Sequence, residues 1–412
     1  MYENMIRLVQ PAREPTAGAA GAQSSIDFLS QNAVRPVLRF HQSFPAYSET
    51  PLAQMGSLAR ELGIAGLYVK DESHRFGLNA FKVLGGSYAI GKCLAKRLGA
   101  DISELPYDAL ASDMIRDRLG EVTFVTATDG NHGRGVAWTA KRLKQKAVVY
   151  MPAGSAPERL ANIRAEGADA SIVDTNYDGA VRLATEMAVQ NGWVLLQDTA
   201  GEGCTDDILR WIMQGYTTMG YEAYARLPSK PTHIFLQAGV GSMAGAMSGY
   251  FNGVYDGTPP IITIVEPDKA DCIFRTAEAG DGAIRRIGGK LDTIMAGLAC
   301  GEPCAFAWDV LNGYADNFIS CPDYVAAKGM RLLGNPPGND MRVISGESGA
   351  VTVGCVAEIM TNPLYEDIRG ALKLNNGSHV LCFSTEGDTD KKNYKAIVWD
   401  GKVPNPQTYL TY

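Results

Sequence analysis

No run of apolar residues in this sequence is long enough to cross a membrane. Glu3 and Arg7 interrupt the first nine residues, where a secretory leader would carry its apolar core, so the chain is expected in the cytoplasm. Positive charge is in the minority: 38 Lys and Arg stand against 45 Asp and Glu, a net charge of -7. No basic stripe interleaves with aromatics either, which argues against a nucleic-acid partner. The eight cysteines are scattered without a CxxC pair, and the five histidines form no cluster with them. The common zinc patterns are therefore absent, and no metal is expected. Most cysteines read as reduced core residues, while pairing of Cys272 with Cys300 stays open.

What is present is an ordinary globular composition, 46% hydrophobic and 20% charged over 412 residues, enough for two domains and a large core. Small residues from Pro15 to Gly21 mark the stretch to about residue 35 as an extended lead-in. Residues 48–52 precede a helical pattern that runs through Leu62, and 66–72 read as a short strand ending in charges. Further strands are expected at 122–126, 147–151, 170–173, 193–197, 232–237, 261–265 and 379–383. Helices are expected at 88–98, 156–166, 177–190 and 208–227, with a polar, mostly helical insertion at 101–120. Such alternation implies an α/β protein with mostly parallel sheets.

Three stretches carry candidate chemistry. In Gly77-Leu78-Asn79-Ala80-Phe81-Lys82, the lysine sits beside an aromatic at a helix entrance. An amine in such a place can be desolvated and made available for a Schiff base, although a solvated surface lysine fits the same pattern. In Thr128-Asp129-Gly130-Asn131-His132-Gly133, a glycine turn follows a buried strand and opens a helix from Val136, an arrangement that binds anions. The third stretch, Gly239-Val240-Gly241-Ser242-Met243-Ala244-Gly245, also follows a strand. Its amides can surround a phosphate, but a dinucleotide turn or close packing would use the same glycines.

Taken in order, Thr50-Pro51-Leu52, Lys70, Glu72, the Lys82 stretch, the Gly130 turn, the Gly239 loop, Val265-Glu266-Pro267, Gly297-Leu298, Glu347-Ser348-Gly349-Ala350 and the Ser384 turn resemble the fold-type II pyridoxal-phosphate enzymes. The resemblance runs from about residue 50 to residue 387. It implies two layered α/β domains with mostly parallel twisted sheets: residues 1–99 plus 200–412 as a large cofactor-binding domain and 100–199 as a small mobile one. It also implies pyridoxal 5'-phosphate as cofactor, a small amino acid as substrate, and a homodimer. Lys82 would hold the cofactor aldehyde covalently, Phe81 would lie against the ring, and Asn131 would bond the ring hydroxyl. The amides of Gly239, Val240, Gly241, Ser242 and Met243 would hold the phosphate, and either Ser384 or Thr385 would face the pyridine nitrogen. The turn Thr128, Asp129, Gly130 and Asn131 would bind the substrate carboxylate.

Asp129 departs from the small residue that dehydratases of this group commonly carry before Gly-Asn-His. A carboxylate there can remove an α-proton on the face opposite Lys82, hold a cationic β-ammonium, or merely cap the helix from Val136 or make an Asx turn. Asp198, at the end of a predicted strand, is a second candidate carboxylate, with an ordinary loop acid or cap as its alternative. With Lys82, Asp129 and Asp198 as catalytic candidates, the implied reaction is β-elimination of ammonia from a small diamino acid. A serine or threonine dehydratase is the nearest rival; a nicotinamide-dependent oxidoreductase would leave Lys82 unexplained. His132 reads as a brace for the turn, and Glu347 as a cofactor contact, a cap or a buried hydrogen bond.

Overall fold

The computed structural model describes residues 5–11, 26–128, 130–198 and 205–406. Two sheets organise these residues. The larger has the order β1 (Arg7–Val9), β10 (Asn317–Cys321), β9 (Ile261–Pro267), β8 (His233–Gln237), β11 (His379–Ser384), β3 (Gly66–Asp71), β2 (Leu52–Gln54). The inner pairings are parallel, and only the edge strands β1 and β2 run antiparallel to their neighbours. The smaller sheet, in the order β6 (Asp169–Ile172), β5 (Lys146–Met151), β4 (Thr123–Ala127), β7 (Val194–Leu195), is parallel throughout.

Parallel strands covered by helices on both faces need apolar side chains on both, and the central strands supply them. In β11, Leu381 and Phe383 enter one core, while Val380 and Cys382 enter another on the opposite face. In β8, Ile234 and Leu236 join the first and Phe235 the second. The helices Val83–Leu98, Asp206–Arg226 and Ser242–Val254 cover the first face, and Asp323–Gly334 with Glu347–Thr361 covers the second. A third, smaller cluster joins Val125 of β4 to Ala180, Ala184 and Ala188 of the helix Tyr177–Asn191.

Several expectations need correction. The lead-in contains real structure: Arg7–Val9 pairs with β10, and Gln31–Gln42 is a helix whose first turn is capped by Ser30. The helix expected before Leu62 is preceded by β2, which adds to β3, and spans only Gly56–Glu61. The helix expected from Val136 starts at Asn131. Gly133 and Gly135 lie inside it because they bring it close to its neighbours: a Cβ on Gly133 would sit 2.4 Å from Thr128 Cγ2, and one on Gly135 would sit 2.7 Å from Val83 Cα. The strand expected at 193–197 shrinks to Val194–Leu195. Cys272 and Cys300 are not joined by a disulfide.

Candidate active site

Parallel α/β sheets bind ligands beyond the carboxyl ends of their strands, and both sheets here aim those ends at one cavity. Phe81 and Lys82 arrive after β3, the 238–244 loop after β8, and Thr385 with Glu386 after β11. From the small sheet come Asn131 after β4 and Asp198 after β7.

The lysine loop is fastened to the end of β11 by its backbone. Phe81 N–H donates to Thr385 O at 3.0 Å, Gly387 N–H donates to Asn79 O at 3.0 Å, and Ala80 bridges Glu386. Ahead of it the chain turns through left-handed conformations at Phe76 (φ 50°) and Asn79 (φ 61°), uncommon for residues with a Cβ. A buried cluster anchors this turn. Lys70 Nζ lies 2.6 Å from Glu222 Oε2, Arg75 Nη2 lies 2.7 Å from the same oxygen, and Arg75 Nε lies 2.8 Å from Glu72 Oε2. Two cations balance two anions, which is what makes their burial tolerable. Lys70 and Glu72 therefore support the lysine loop from below and do not line the cavity.

Lys82 Nζ donates to Asp198 Oδ2 at 2.9 Å. Burial would raise the Asp198 carboxyl, but Lys82 and, less strongly, His132 more than reverse it, to about 2. The carboxylate is thus held ionised by the amine beside it. His132 Nε2 lies 2.9 Å from Leu196 O, so this ring braces the end of β7 against the turn after β4.

The 238–244 loop begins where Ala238 N–H donates to Val265 O at 3.0 Å, then enters the helix Ser242–Val254 through Gly241 (φ +97°). The first amides of that helix have no carbonyl a turn earlier to bond, and they face the cavity with the positive end of the helix dipole. A side chain on Gly239 would begin 3.1 Å from Cys300 Sγ and 3.2 Å from Leu298 Cα, so the loop's backbone packs closely against the 297–300 segment. Ser242 Oγ donates to Asp198 O at 2.8 Å, tying this cradle to the carboxylate that meets Lys82. Val240 and Met243 also line the cavity.

The remaining candidates divide. Thr385 lines the cavity, and its Oγ1 accepts from Gln237 Nε2 at 2.8 Å. Ser384 does not: it is fully buried and donates to Ser345 Oγ at 2.8 Å. Asn131 lines the cavity and donates to Glu386 Oε2 at 2.6 Å. Thr128 instead folds its hydroxyl into the turn, accepting from Gly130 N–H at 2.9 Å and Gly133 N–H at 3.1 Å. Asp129 lies outside the described residues. Glu347 begins the helix Glu347–Thr361 and accepts from Asn393, away from the cavity lining. Its carboxyl is pushed up to about 7 by burial first and then by Glu386.

Sequence reasoning missed Glu386 as a cavity residue, although it stands in the quoted Ser384 turn. It also missed Tyr177 and Tyr216, aromatics at helical positions with no local mark of function. Tyr177 Oη accepts from Gln197 Nε2 at 2.9 Å, and Gln197 in turn accepts from Thr126 Oγ1 at 2.9 Å.

A lysine at the rim, an adjacent aromatic and a glycine loop at a helix N-terminus, all at strand carboxyl ends, define an enzyme that holds a phosphorylated aldehyde. The chain belongs to the pyridoxal-phosphate dependent enzyme family, which matches residues 44–367. The diaminopropionate ammonia-lyase of Salmonella typhimurium strain LT2 is 50% identical over 387 residues, 93% of this chain and 96% of that protein. The enzyme of the same name from Escherichia coli strain K12 is 50% identical over 378 residues, 91% of this chain and 93% of that protein. The crystal structure of the holo Escherichia coli diaminopropionate ammonia-lyase superposes with a TM-score of 0.89 at 46% identity, covering 97% of this chain and 98% of that one. Its complex with an aminoacrylate–pyridoxal-phosphate azomethine reaction intermediate superposes with a TM-score of 0.87. The residues present fit the cofactor: backbone amides and a helix terminus suit its phosphate, Phe81 its ring, and Lys82 its aldehyde.

Proposed function

We propose that this chain catalyses the α,β-elimination of 2,3-diaminopropionate, in both D and L forms, to pyruvate and two ammonia molecules. The observation that carries the reading is the contact of Lys82 Nζ with Asp198 Oδ2 at 2.9 Å, above a cradle built for phosphate. The half-identity to diaminopropionate ammonia-lyases over nearly the whole chain supports the choice of substrate.

The bound cofactor supplies an electron sink that acidifies the α-hydrogen of the amino acid it carries. The chain's residues do the rest. Phe81 would orient the ring and Asn131 and Thr385 would hold its edge; in the 128–131 turn, where Thr128 N–H is given to Tyr150 O and Gly130 N–H to Thr128 Oγ1, the Asn131 N–H would meet the substrate carboxylate. The α-proton passes to Lys82 Nζ or to a carboxylate on the opposite face, Asp129 being the candidate there. The electron pair left at Cα forms the Cα–Cβ double bond as the Cβ–N bond breaks, and the β-amino group leaves as ammonia. One water then converts the released enamine to pyruvate and the second ammonia. Asp198 has two roles in this scheme: it stabilises Lys82 when that amine is protonated, and it accepts a proton once the amine is neutral. With the positive neighbour gone, burial dominates and the carboxyl becomes a stronger base.

The segment 100–199 would close over the cavity and exclude water during elimination. The same proposal takes the enzyme to be a cytoplasmic homodimer, and sedimentation of the purified protein reads its oligomeric state. Among the described residues no helix is long and apolar enough to cross a membrane.

The test is pyruvate release by the cofactor-loaded protein from D- and L-2,3-diaminopropionate, with serine and threonine run alongside as 2-oxo-acid formers. Turnover of both diaminopropionate enantiomers well above the hydroxy amino acids supports the proposal. Preference for serine or threonine would make the enzyme a dehydratase and remove the role given to Asp129.

A further inference from the structure

Tyr216 occupies a place that the fold has been shaped to provide. It lies on the helix Asp206–Arg226, which packs across the helix Val83–Leu98 that follows Lys82. Two glycines set how near these helices come. A Cβ on Gly215 would fall 2.3 Å from Leu84 O, and one on Gly85 would fall 2.6 Å from Tyr216 Cε1. The ring fills the groove left by Gly85 and rests on Phe81, with centroids 4.8 Å apart and planes inclined at 50°. Only 1% of Tyr216 is exposed, yet it forms part of the cavity wall.

The hydroxyl at the end of this ring is buried and has no hydrogen-bond partner among the described residues. Buried hydroxyls nearly always have one, because leaving a donor unpaired forfeits its hydration for nothing in return. The nearby Ser242 hydroxyl is already committed to Asp198 O, so it is not a free donor for a ligand. Burial, and next the charge of Asp198, hold the phenol in its protonated form, so it keeps its proton to donate.

We propose that Tyr216 is a cofactor-binding residue whose hydroxyl donates a hydrogen bond to the cofactor phosphate held by the 239–243 loop. This rests on the reading of the cavity as a pyridoxal-phosphate site. The loop offers backbone amides and a helix terminus; a phosphate dianion has more acceptor positions than those amides fill, and a hydrogen bond to a charged acceptor is the stronger kind. The protein carries the cost of an unpaired buried donor in its free form and recovers it on loading.

The experiment titrates the apo forms of the wild type and Tyr216→Phe with pyridoxal 5'-phosphate and, separately, with pyridoxal, which lacks the phosphate. Binding is followed by the absorbance of the bound chromophore, and the phosphorus NMR shift of the loaded proteins is recorded. The expected result is about a tenfold or greater loss of affinity for the phosphorylated cofactor, no more than about a twofold change for pyridoxal, and a moved phosphorus resonance. The apo variant should melt no lower than the wild-type apo protein, since the change deletes only an unpaired hydroxyl. Unchanged affinity, or an equal loss for both ligands, overturns the assignment. So does a variant that binds cofactor normally but shows a raised KM for the amino acid. If the wild type itself fails to bind pyridoxal 5'-phosphate, the functional reading falls and this one with it.

Discussion

Lys82 Nζ and Asp198 Oδ2 meet at 2.9 Å although 116 positions separate them in the chain. The lysine follows a strand of the large sheet and the aspartate a strand of the small one, so the contact spans the cavity. Replacing Asp198 by Asn keeps the shape and removes the charge that stabilises protonated Lys82. The expected outcome is a fall in kcat of about 10²- to 10⁴-fold, the range for loss of one acid–base group. Steady-state pyruvate assays on each enantiomer check it, with Asp129→Asn in parallel. If Asp198 serves the Lys82 face and Asp129 the opposite one, the two variants will penalise opposite enantiomers; equal penalties would defeat the assignment of Lys82 and Asp129 to opposite faces.

The buried cluster under the lysine loop predicts acid sensitivity. Burial raises the Glu222 carboxyl, but Arg75 and then Lys70 bring it down to about 2, below its ordinary 4.5. A depressed carboxyl contributes stability that is present above its ordinary pKa and lost as pH falls through the folded value. Denaturant unfolding of the apo protein should therefore weaken between about pH 4.5 and 2. Glu222→Gln should flatten that dependence while costing about 3–5 kcal/mol at neutral pH, because Lys70 and Arg75 lose a buried partner. A neutral-pH stability equal to wild type would contradict this.

Glu347 predicts the opposite sign. Its folded carboxyl is raised from 4.5 to about 7, so its contribution is complete below pH 4.5 and is lost as pH rises through 7. Glu347→Gln keeps an acceptor for Asn393 and stays neutral. It should be more stable than wild type at pH 8, by up to about 3 kcal/mol, and similar to it at pH 4. Melting curves at the two pH values decide the matter; a variant less stable at both shows that the carboxylate is needed in its charged form.

Gly215→Ala should be poorly tolerated. Its methyl would land 2.3 Å from Leu84 O, backbone that cannot swing aside, so the helices must part. A loss of at least about 1–3 kcal/mol is expected, with weaker cofactor binding because Phe81 and Lys82 lie at the start of the displaced helix. Gly313→Ala, on another helix with open space around the position, is the control and should change little. Comparable effects from the two would show that crowding at Gly215 is not the cause.

Much of the site could be read from local chemistry. Gly241 marks a turn that requires a left-handed conformation before a helix, and that need is written in one residue. The helix start at Asn131 was misplaced because Gly133 and Gly135 read as turn residues; their purpose is contact with Thr128 and Val83, which no local pattern reveals. Between Ser384 and Thr385 the sequence offered two hydroxyls and no means of choosing. Adjacent side chains at a strand end take opposite directions, and the pairing of β11 with β3 and β8 turns Ser384 toward Ser345 and leaves Thr385 facing the cavity.

The sequence by itself determined the α/β alternation, the lysine at a helix entrance and the glycine loop that can hold a phosphate, because backbone dihedrals and helix termini obey rules that act over a few residues. Tertiary structure alone decided that Asp198 reaches Lys82, that Glu222 closes a charge cluster with Lys70 and Arg75, and that Tyr216 joins the cavity wall with a buried hydroxyl that has no partner among the described residues. Those relationships depend on strand register and helix separation between segments far apart in the chain, and a carboxylate or phenol carries no local sign of which distant group it will meet.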